Sequence, residues 1–475
     1  MKKITIYIFT FLVCAFSELT LAQNAERPLY NVLSFEEFLG YVKMHHPLMK
    51  QAELNISLGE ANLLKARGGF DPKVVVDFDR KKFKNTEYYD HLNASFKIPT
   101  WYGIEFKGNF EENTGEFLNP ELTVPDQGLY SAGISLSLAQ GLLINERMAS
   151  LKKARFFKEQ TKAERDLLVN NLLFEASKAY FTWIEATNEQ RIYINFLENA
   201  SIRLEAVRRS VEEGENAAID ITEARIAMQN RKLYLEAAIL KRRKAALAVS
   251  NYLWLNDIPM EIQDEVVPEV PAIAVLETSL RLEGIIDPYG FLNTHPTLAS
   301  IDARIEGLTV DKFLKRNKLL PKIDLQYNLL TSQADQLNSF NMTNYKAFVN
   351  FSFPMFLRKE RGDLRLATLK LADANFERVS TSLNLQNKIK AVDAEIRSMK
   401  TQNNLINSIV KDYMTLLQAE ERKFTLGESS LFLINSREQK LIDAQLKENE
   451  LIVSQLHATA SLFNTLGITD SVISN

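Results

Sequence analysis

The chain contains two copies of the same pattern, and this internal repeat constrains its fold more than any other feature. One copy begins at His46 with HPLMKQAELNISLGEANLLKARGGFDPKVVV, and the other begins at His295 with HPTLASIDARIEGLTVDKFLKRNKLLPKIDL. They align without a gap at an offset of 249 residues, which also relates Pro72 to Pro321. Such a repeat indicates one structural unit built twice. Each copy predicts a helix that begins at the His-Pro pair, because proline suits the first helical position.

Extended segments with alternating apolar and polar residues follow each predicted helix. Alternation over about nine to eleven residues suits a strand that faces lipid on one side and a lumen on the other. A half-buried strand of a soluble sheet has the same pattern, so the alternation alone leaves both interpretations open. The segments lie near 73–82, 90–98, 102–111 and 129–138 in the first copy and near 322–331 and 345–353 in the second.

A long helical stretch comes next in each copy. Apolar residues recur at steps of three and four from Val169 to Val211 and from Leu385 to Phe424. Gln190 interrupts the first seam, and Asn403 and Glu420 interrupt the second. A sustained 3.5-residue repeat predicts coiled-coil helices.

Both long helices are predicted to end at a glycine, at Gly214 and at Gly427. Glycine is the usual residue just beyond a helix end, because it adopts a left-handed backbone conformation without strain. A second helix then runs back in each copy, roughly over 217–256 and 429–466. The sequence therefore predicts two antiparallel helical hairpins with glycine-marked tips.

The N-terminus predicts export. MKKITIYIFTFLVCAFSELTLAQ has two lysines, an apolar run and a Thr-Leu-Ala cleavage site, which together are typical of a signal peptide over 1–22. The only cysteine, Cys14, lies within it, so the mature chain is expected to have no disulfide, thiolate metal site or cysteine nucleophile. No later stretch has 18 uninterrupted apolar residues, so no transmembrane helix is expected.

The sequence offers no basis for catalysis, a cofactor, a metal site or nucleic-acid binding. The net charge is -3, which does not favour a nucleic-acid partner. There is no phosphate-binding loop, nucleophile elbow or zinc-protease motif. The five histidines do not form a spaced ligand set; they are His45, His46, His91, His295 and His457.

These features together resemble the TolC-like outer-membrane efflux proteins over nearly all of the mature chain. The resemblance is carried by HPLMKQAE and HPTLASID at the helix starts, where the family commonly has Asn-Pro. It is also carried by the strand-to-helix passages GISLSLAQGLLINER and VNFSFPMFLRKERGD and by the two glycine tips. The ordered set, present twice, is more specific than any one of these motifs.

The resemblance implies a mainly α protein with transmembrane β-strands. It implies a homotrimer whose strands form one shared β-barrel in outer-membrane lipid and whose helices form a periplasmic tunnel. An adaptor protein would join this tunnel to an inner-membrane pump, and the duct would passively conduct whatever that pump delivers in efflux or type I secretion. Physical chemistry agrees that a few strands from one chain cannot close a barrel around a lumen.

The resemblance also implies functional residues at the tips. Asp220 and Glu223, just beyond Gly214, match family positions that line the closed end of the tunnel, so we expect them to form a pore constriction. A solvated carboxylate on a helix face is the alternative. The turns around Gly214 and Gly427 are expected to dock the adaptor.

The first repeat departs from the family pattern, which commonly has two strands per repeat. Its extra pair of strands, with IPTWYG at the turn, could enlarge the barrel or form an accessory hairpin. The predicted organisation is a signal peptide at 1–22, a first repeat at 23–255, a connector with little regular structure at 256–294 and a second repeat at 295–475.

Two other functions stay open from sequence alone. A periplasmic adaptor subunit also has coiled-coil hairpins, although two glycine tips in a tandem repeat argue against it. An exported helical scaffold without a channel is the third interpretation.

Overall fold

A computed structural model describes residues 31–285, 288–333, 335 and 340–468, so the predicted signal peptide lies outside the described residues. The helices are α1 (Phe35–His45), α2 (Pro47–Arg67), α3 (Glu146–Glu212), α4 (Ala218–Ser250), α5 (Ile273–Ser279), α6 (Pro296–Asn317), α7 (Arg358–Thr425) and α8 (Leu431–Leu466). The strands are β1 (Asn31–Leu33), β2 (Lys73–Phe83), β3 (Thr86–Pro99), β4 (Ile104–Thr114), β5 (Leu129–Ala139), β6 (Trp254–Leu255), β7 (Ile258–Pro259), β8 (Val266–Pro268), β9 (Lys322–Thr331) and β10 (Tyr345–Ser352).

The six strands that the alternation predicts form one antiparallel sheet. Its order is β10-β9-β5-β4-β3-β2, so the last strand of the first repeat pairs with the first strand of the second. The β3–β4 hairpin lies between β2 and β5. Both ends of the sheet are open, since β2 and β10 each pair with one strand only among the described residues.

The long helices contain the predicted 3.5-residue repeats and begin more than twenty residues before them, with 67 residues in α3 and 68 in α7. The polar interruptions of the second seam have partners. Asn403 Nδ2 donates to Gln455 Oε1 at 2.6 Å, and Ser429 Oγ donates to Glu420 Oε1 at 2.6 Å. Each therefore adds a directional contact to an otherwise apolar seam. In the described part of the chain, no helix is both long and apolar enough to span a membrane.

The described residues fall into two compact units, and each unit takes segments from both repeats. One comprises the described part of Met1–Pro47 together with Leu173–Gly284 and Asp393–Ser461. The other comprises Leu48–Leu172 and Ile285–Val392, with the described part of Leu462–Asn475, and it contains the whole six-stranded sheet.

The connector is more regular than the sequence predicts, so the expectation of little regular structure over 256–294 is wrong. It contains β7, β8, α5 and a 3-10 segment, Pro288–Thr294. Its prolines lie at element boundaries, where a missing N–H does no harm: Pro259 and Pro268 end strands, and Pro271 precedes α5.

An aromatic core in the first unit explains why β8 forms. β8 pairs in parallel with β1, and the Tyr180 hydroxyl donates to Leu33 O at 2.7 Å and accepts from the Glu269 N–H at 3.1 Å. The Tyr180 ring packs at 5.4 Å from Phe35 and 5.2 Å from Phe38, measured between ring centroids. Burial raises the pKa of the Tyr180 hydroxyl, which therefore stays protonated and can donate.

Both His-Pro pairs mark helix starts, which confirms that part of the prediction. His46 ends α1, and Pro47 is the first residue of α2. His295 caps α6, and Pro296 follows as the first helical residue. His295 Nδ1 accepts the Thr297 N–H at 3.1 Å, and Nε2 lies 3.2 Å from Thr465 O.

Candidate functional sites: the hairpin tips and the two-faced sheet

The two hairpin tips have the same backbone hydrogen bonds. At the first, the Gly214 N–H donates to Val211 O at 3.1 Å and the Glu215 N–H donates to Ser210 O at 2.8 Å. At the second, the Gly427 N–H donates to Phe424 O at 3.0 Å and the Glu428 N–H donates to Lys423 O at 2.9 Å. These are paired Schellman motifs, which close a helix on a left-handed residue.

The glycines supply that left-handed conformation. The φ angle is 83° at Gly214 and 77° at Gly427. A Cβ added at either position would meet nothing within 4 Å. The need for glycine is therefore a matter of backbone conformation rather than space, and both turns are exposed.

The return helices begin differently in the two copies. The Leu433 N–H at the start of α8 donates to Ser430 Oγ at 3.4 Å. Ala217 precedes α4 and makes no side-chain cap, but Asp220 lies in the first turn of α4. A carboxylate in the first turn is favourable because the helix dipole is positive there.

The structure distinguishes the two predicted constriction residues. Asp220 and Glu223 are both half-buried on α4, one turn apart. Glu223 Oε1 accepts from Asn435 Nδ2 on α8 at 3.1 Å, so this side chain is tied to the second hairpin. Asp220 is accordingly the stronger candidate for a group that faces a passage.

An apolar cluster joins the two hairpins beneath the tips. Its buried members come from α3, α4 and α8 and are Leu204, Val207, Ala224 and Leu431. Val211, Ile221, Met228 and Phe424 pack against them. Contacts of this kind fix the position of one tip relative to the other within this unit.

A buried ion network lies further along the same helices, and the sequence did not predict it. Glu438 on α8 is 0% exposed. Its Oε1 accepts from Arg203 Nη2 on α3 at 2.9 Å, and its Oε2 lies 3.4 Å from Arg231 Nη2 on α4. Arg231 Nη1 also donates to Gln439 Oε1 at 2.8 Å. One carboxylate thus holds three helices through two guanidinium groups.

The six-stranded sheet has one apolar and one polar face. Cross-strand partners share a face, and two adjacent register rows show the contrast between the faces. One row contains only apolar residues and glycine: Val74, Phe96, Gly108, Ala132, Leu329 and Tyr345. The adjacent row lies on the other face and contains polar residues and glycine: Lys73, Lys97, Lys107, Gly133, Asn328 and Lys346.

The polar face continues into a cavity of about 470 Å³ beside the start of α3. Six of its charged groups form ion pairs, and Lys107 Nζ donates to Gln326 Oε1 at 3.1 Å. Arg147 Nη1 lies 2.7 Å from Glu105 Oε1, and Lys322 Nζ lies 3.2 Å from Asp324 Oδ2. Nowhere in the described ranges do three His, Cys, Asp or Glu side chains group in a way that could hold a metal ion.

Solved structures of outer-membrane channels share this fold of an amphipathic antiparallel sheet and two long helical hairpins. The outer-membrane channel OprN matches with a TM-score of 0.68 at 14% identity, over 91% of this chain and 89% of that one. The CmeC outer-membrane channel of Campylobacter jejuni matches with a TM-score of 0.65 at 12% identity, over 91% and 85%. The MtrE outer-membrane channel of Neisseria gonorrhoeae in its open state matches with a TM-score of 0.65 at 14% identity, over 91% of this chain and 88% of that one.

Sequence comparison points to the same family. Residues 288–468 match the family model described as outer membrane efflux protein. Along most of its length the chain is also similar to the pyoverdine export outer membrane protein OpmQ of Pseudomonas putida. The identity is 23% over 429 residues, which are 89% of this chain and 78% of the relative. These matches confirm the predicted resemblance to the TolC-like outer-membrane efflux proteins, and the chain shares the fold of the solved channels that it matches.

Proposed function

We propose that this chain is one subunit of a homotrimeric exit duct in the outer membrane, through which an inner-membrane pump discharges its substrates. The two-faced sheet carries this proposal. Its apolar rows suit contact with lipid, and its polar rows suit a water-filled lumen. From the sequence alone, the same strands could also belong to a half-buried sheet of a soluble protein. The likeness to outer-membrane channels and to an export protein supports the membrane alternative.

The helical hairpins supply the periplasmic part of the duct in this proposal. Their exposed tips at Gly214 and Gly427 dock a periplasmic adaptor, which links the duct to the pump. Glu215 is exposed beside Gly214, so Glu215→Arg should weaken copurification of the adaptor. Glu198→Arg is the control, because it makes the same change on an exposed position of α3 away from the tip. Equal copurification of both variants with wild type would remove the tip from the docking surface.

Asp220 supplies the constriction in this proposal. Repeated by the symmetry of a trimer, its carboxylates would form a ring that favours cations. Asp220→Ala should reduce cation selectivity in planar bilayers, whereas Asp220→Glu, which keeps the charge, should retain it. Unchanged conductance and selectivity in Asp220→Ala would assign the constriction to other residues.

Fractionation followed by mass measurement in detergent tests the proposed function as a whole. We expect the mature chain in the outer membrane as a trimer that conducts ions in planar bilayers. A monomer that stays in solution without detergent would overturn the proposal and favour an exported scaffold.

A further inference from the structure

The β3–β4 hairpin is an integral part of the sheet rather than an attachment to it. β3 pairs with β2 over eleven residues and with β4 over ten, and β4 pairs with β5 over eight. The hairpin follows the same apolar and polar rows as the other four strands. Phe96 and Gly108 lie in the apolar row, and Lys97 and Lys107 lie in the polar one.

The turn of this hairpin is fixed to the rest of its unit. The Trp101 ring stacks on Phe70 with centroids 5.6 Å apart and packs against the buried cluster around Ile144. Asn145, at the start of α3, donates from Nδ2 to Trp101 O at 3.2 Å. The same side chain accepts the Met148 N–H at 2.9 Å through Oδ1. One asparagine thus caps the long helix and contacts the hairpin turn, which ties the turn to the start of α3.

The open edges of the sheet have matching chain directions. Neighbouring strands alternate in direction, and six is an even number, so β2 and β10 run in opposite directions. If β10 of one copy adjoins β2 of the next, the alternation continues across the joint without a parallel pair. Both edge strands carry exposed apolar side chains on the same face of the sheet. The exposed fraction is 59% for Val76 and 62% for Phe78 in β2, and 67% for Val349 and 65% for Phe351 in β10.

We propose that all six strands of each copy lie in the membrane wall, and that β10 of one copy pairs antiparallel with β2 of the next. This inference rests on the proposed function. The occupant of each edge is a second copy of this chain, because the edge needs an antiparallel strand with the same alternation of faces. Three copies with six strands each give a barrel of eighteen strands. Barrel diameter grows roughly in proportion to strand number, so the inserted hairpin widens the duct where it crosses the membrane.

The repeat predicts the register of the joint. The joint places the last strand of the second repeat, β10, beside the first strand of the first repeat, β2. Its equivalent within one copy is the pairing of β5 with β9, in which Ser137 lies opposite Asp324. Asn350 is the equivalent of Ser137 at the offset of 213 residues that relates Gly214 to Gly427. Val75 is the equivalent of Asp324 at the repeat offset of 249 residues. We therefore expect Asn350 to lie opposite Val75 of the partner subunit, with both side chains on the polar face.

Disulfide cross-linking of the full-length chain tests the joint, and the predicted mature chain has no cysteine of its own. Val75→Cys with Asn350→Cys should give covalent dimers and trimers on denaturing gels after oxidation. The matched control is Val75→Cys with Asp324→Cys, which places the second thiol on β9, inside the sheet. It should stay monomeric on the same gels. A covalent dimer from Val75→Cys alone would mean that β2 pairs with β2, and this would overturn the proposed joint.

Single-particle imaging of the wild-type oligomer in lipid nanodiscs counts the strands directly. Eighteen strands are expected, and twelve would overturn the inference. Removing residues 86–127 joins Asn85 to Gly128 and leaves four strands per copy, so the barrel diameter should fall to about two thirds of the wild-type value. An unchanged diameter in this variant would mean that the hairpin lies outside the wall.

The two proposals can fail separately. An ion-conducting outer-membrane oligomer that gives no Val75–Asn350 cross-link would overturn the inferred joint and leave the duct function intact. A chain that neither reaches the outer membrane nor conducts would overturn both.

Discussion

At the residue scale, His295 shows how a histidine can replace the asparagine that the family commonly has before this proline. Its two ring nitrogens do separate tasks. Nδ1 accepts the Thr297 N–H of its own helix, and Nε2, carrying the proton, donates to Thr465 O at the end of α8. Gly467 makes this approach possible, because a Cβ there would lie 2.9 Å from Nε2 and φ is +62°. The sequence alone predicted the helix start, but the second contact depends on a residue 170 positions away.

Because this geometry requires a neutral imidazole, His295 should make stability depend on pH. Burial lowers the pKa of His295 below its ordinary value of 6.5, and Lys388 lowers it further. A base with a lowered folded-state pKa takes up protons more readily when unfolded, so its contribution is complete above about pH 6.5 and is lost as pH falls below that value. Burial also lowers the pKa values of His46 and His457.

We expect His295→Asn to cost about 1 kcal/mol at neutral pH, because the cap is kept and the bond to Thr465 is lost. Its stability should also fall less steeply than that of wild type between pH 7 and pH 5. Urea titrations across this range measure both effects. His45→Asn, the same change beside the other His-Pro pair, is the control. A wild-type pH slope in His295→Asn would show that this histidine does not contribute to the titration.

The buried ion network around Glu438 leads to a second prediction at the residue scale. Removing one partner of a buried ion network leaves uncompensated charge, which costs about 3–5 kcal/mol. Glu438→Gln should therefore strongly destabilise the hairpins, since Arg203 and Arg231 would lose their shared counter-charge. Glu450→Gln is the control, because its pair with Lys447 is about half exposed and such pairs contribute about 0–1 kcal/mol. Similar melting temperatures for the two variants would contradict the role of the buried network.

At the element scale, the two tips show what a sequence pattern can specify. A glycine after a long apolar seam predicts a helix end, and both tips form there. The pattern could not specify which helices meet beneath the tips, because that depends on contacts between residues far apart in sequence. Arg203, Arg231 and Glu438 lie on three helices, and each looks like an ordinary surface charge when its own helix is considered alone.

The connector shows a case in which the sequence pattern was misleading. Four prolines and many acidic residues suggested irregular structure, but the prolines lie at the boundaries of elements rather than exclude them. β8 exists because its backbone pairs with β1, and the Tyr180 hydroxyl holds the Glu269 backbone just after it. Those partners lie about 90 and more than 230 positions away, beyond the reach of any local propensity.

The tip conformation predicts opposite effects of alanine at different glycines. Gly214→Ala and Gly427→Ala should each destabilise by about 1–2 kcal/mol, because alanine is strained at positive φ. Gly307→Ala should stabilise by about 0.5–1 kcal/mol, since Gly307 lies inside α6 with open space around it. Thermal unfolding of the three variants measures these shifts, and a stabilised Gly214→Ala would contradict the left-handed turn.

At the scale of the whole molecule, the six-stranded sheet has one apolar face and one polar face. The alternation indicated two faces for each strand, but only the register aligns those faces across six strands. The sequence left the place of the β3–β4 hairpin open, because alternation does not reveal which strand pairs with which.

The two faces should respond differently to added charge during assembly. Phe106→Arg puts a cation on the apolar face, at a cost of about 2–4 kcal/mol if the position lies near the bilayer centre. Asn109→Arg makes the same change on the polar face of the same strand and should be tolerated. Quantifying oligomer in isolated outer membranes distinguishes them. Equal yields of both variants would mean that the apolar face does not contact lipid.

The open edges of the sheet also affect the solubility of the monomer before the proposed oligomer assembles. Among the described residues, an isolated protomer has two unpaired strand edges of the six-stranded sheet, with exposed apolar side chains beside them. Such edges are templates for indiscriminate pairing, so under the proposed function a newly exported chain would be at risk of aggregation until it meets its neighbours. We expect overproduction to overload periplasmic quality control before it saturates the membrane. A pulse-chase experiment would then show insoluble chain accumulating while the amount of inserted protein is still rising.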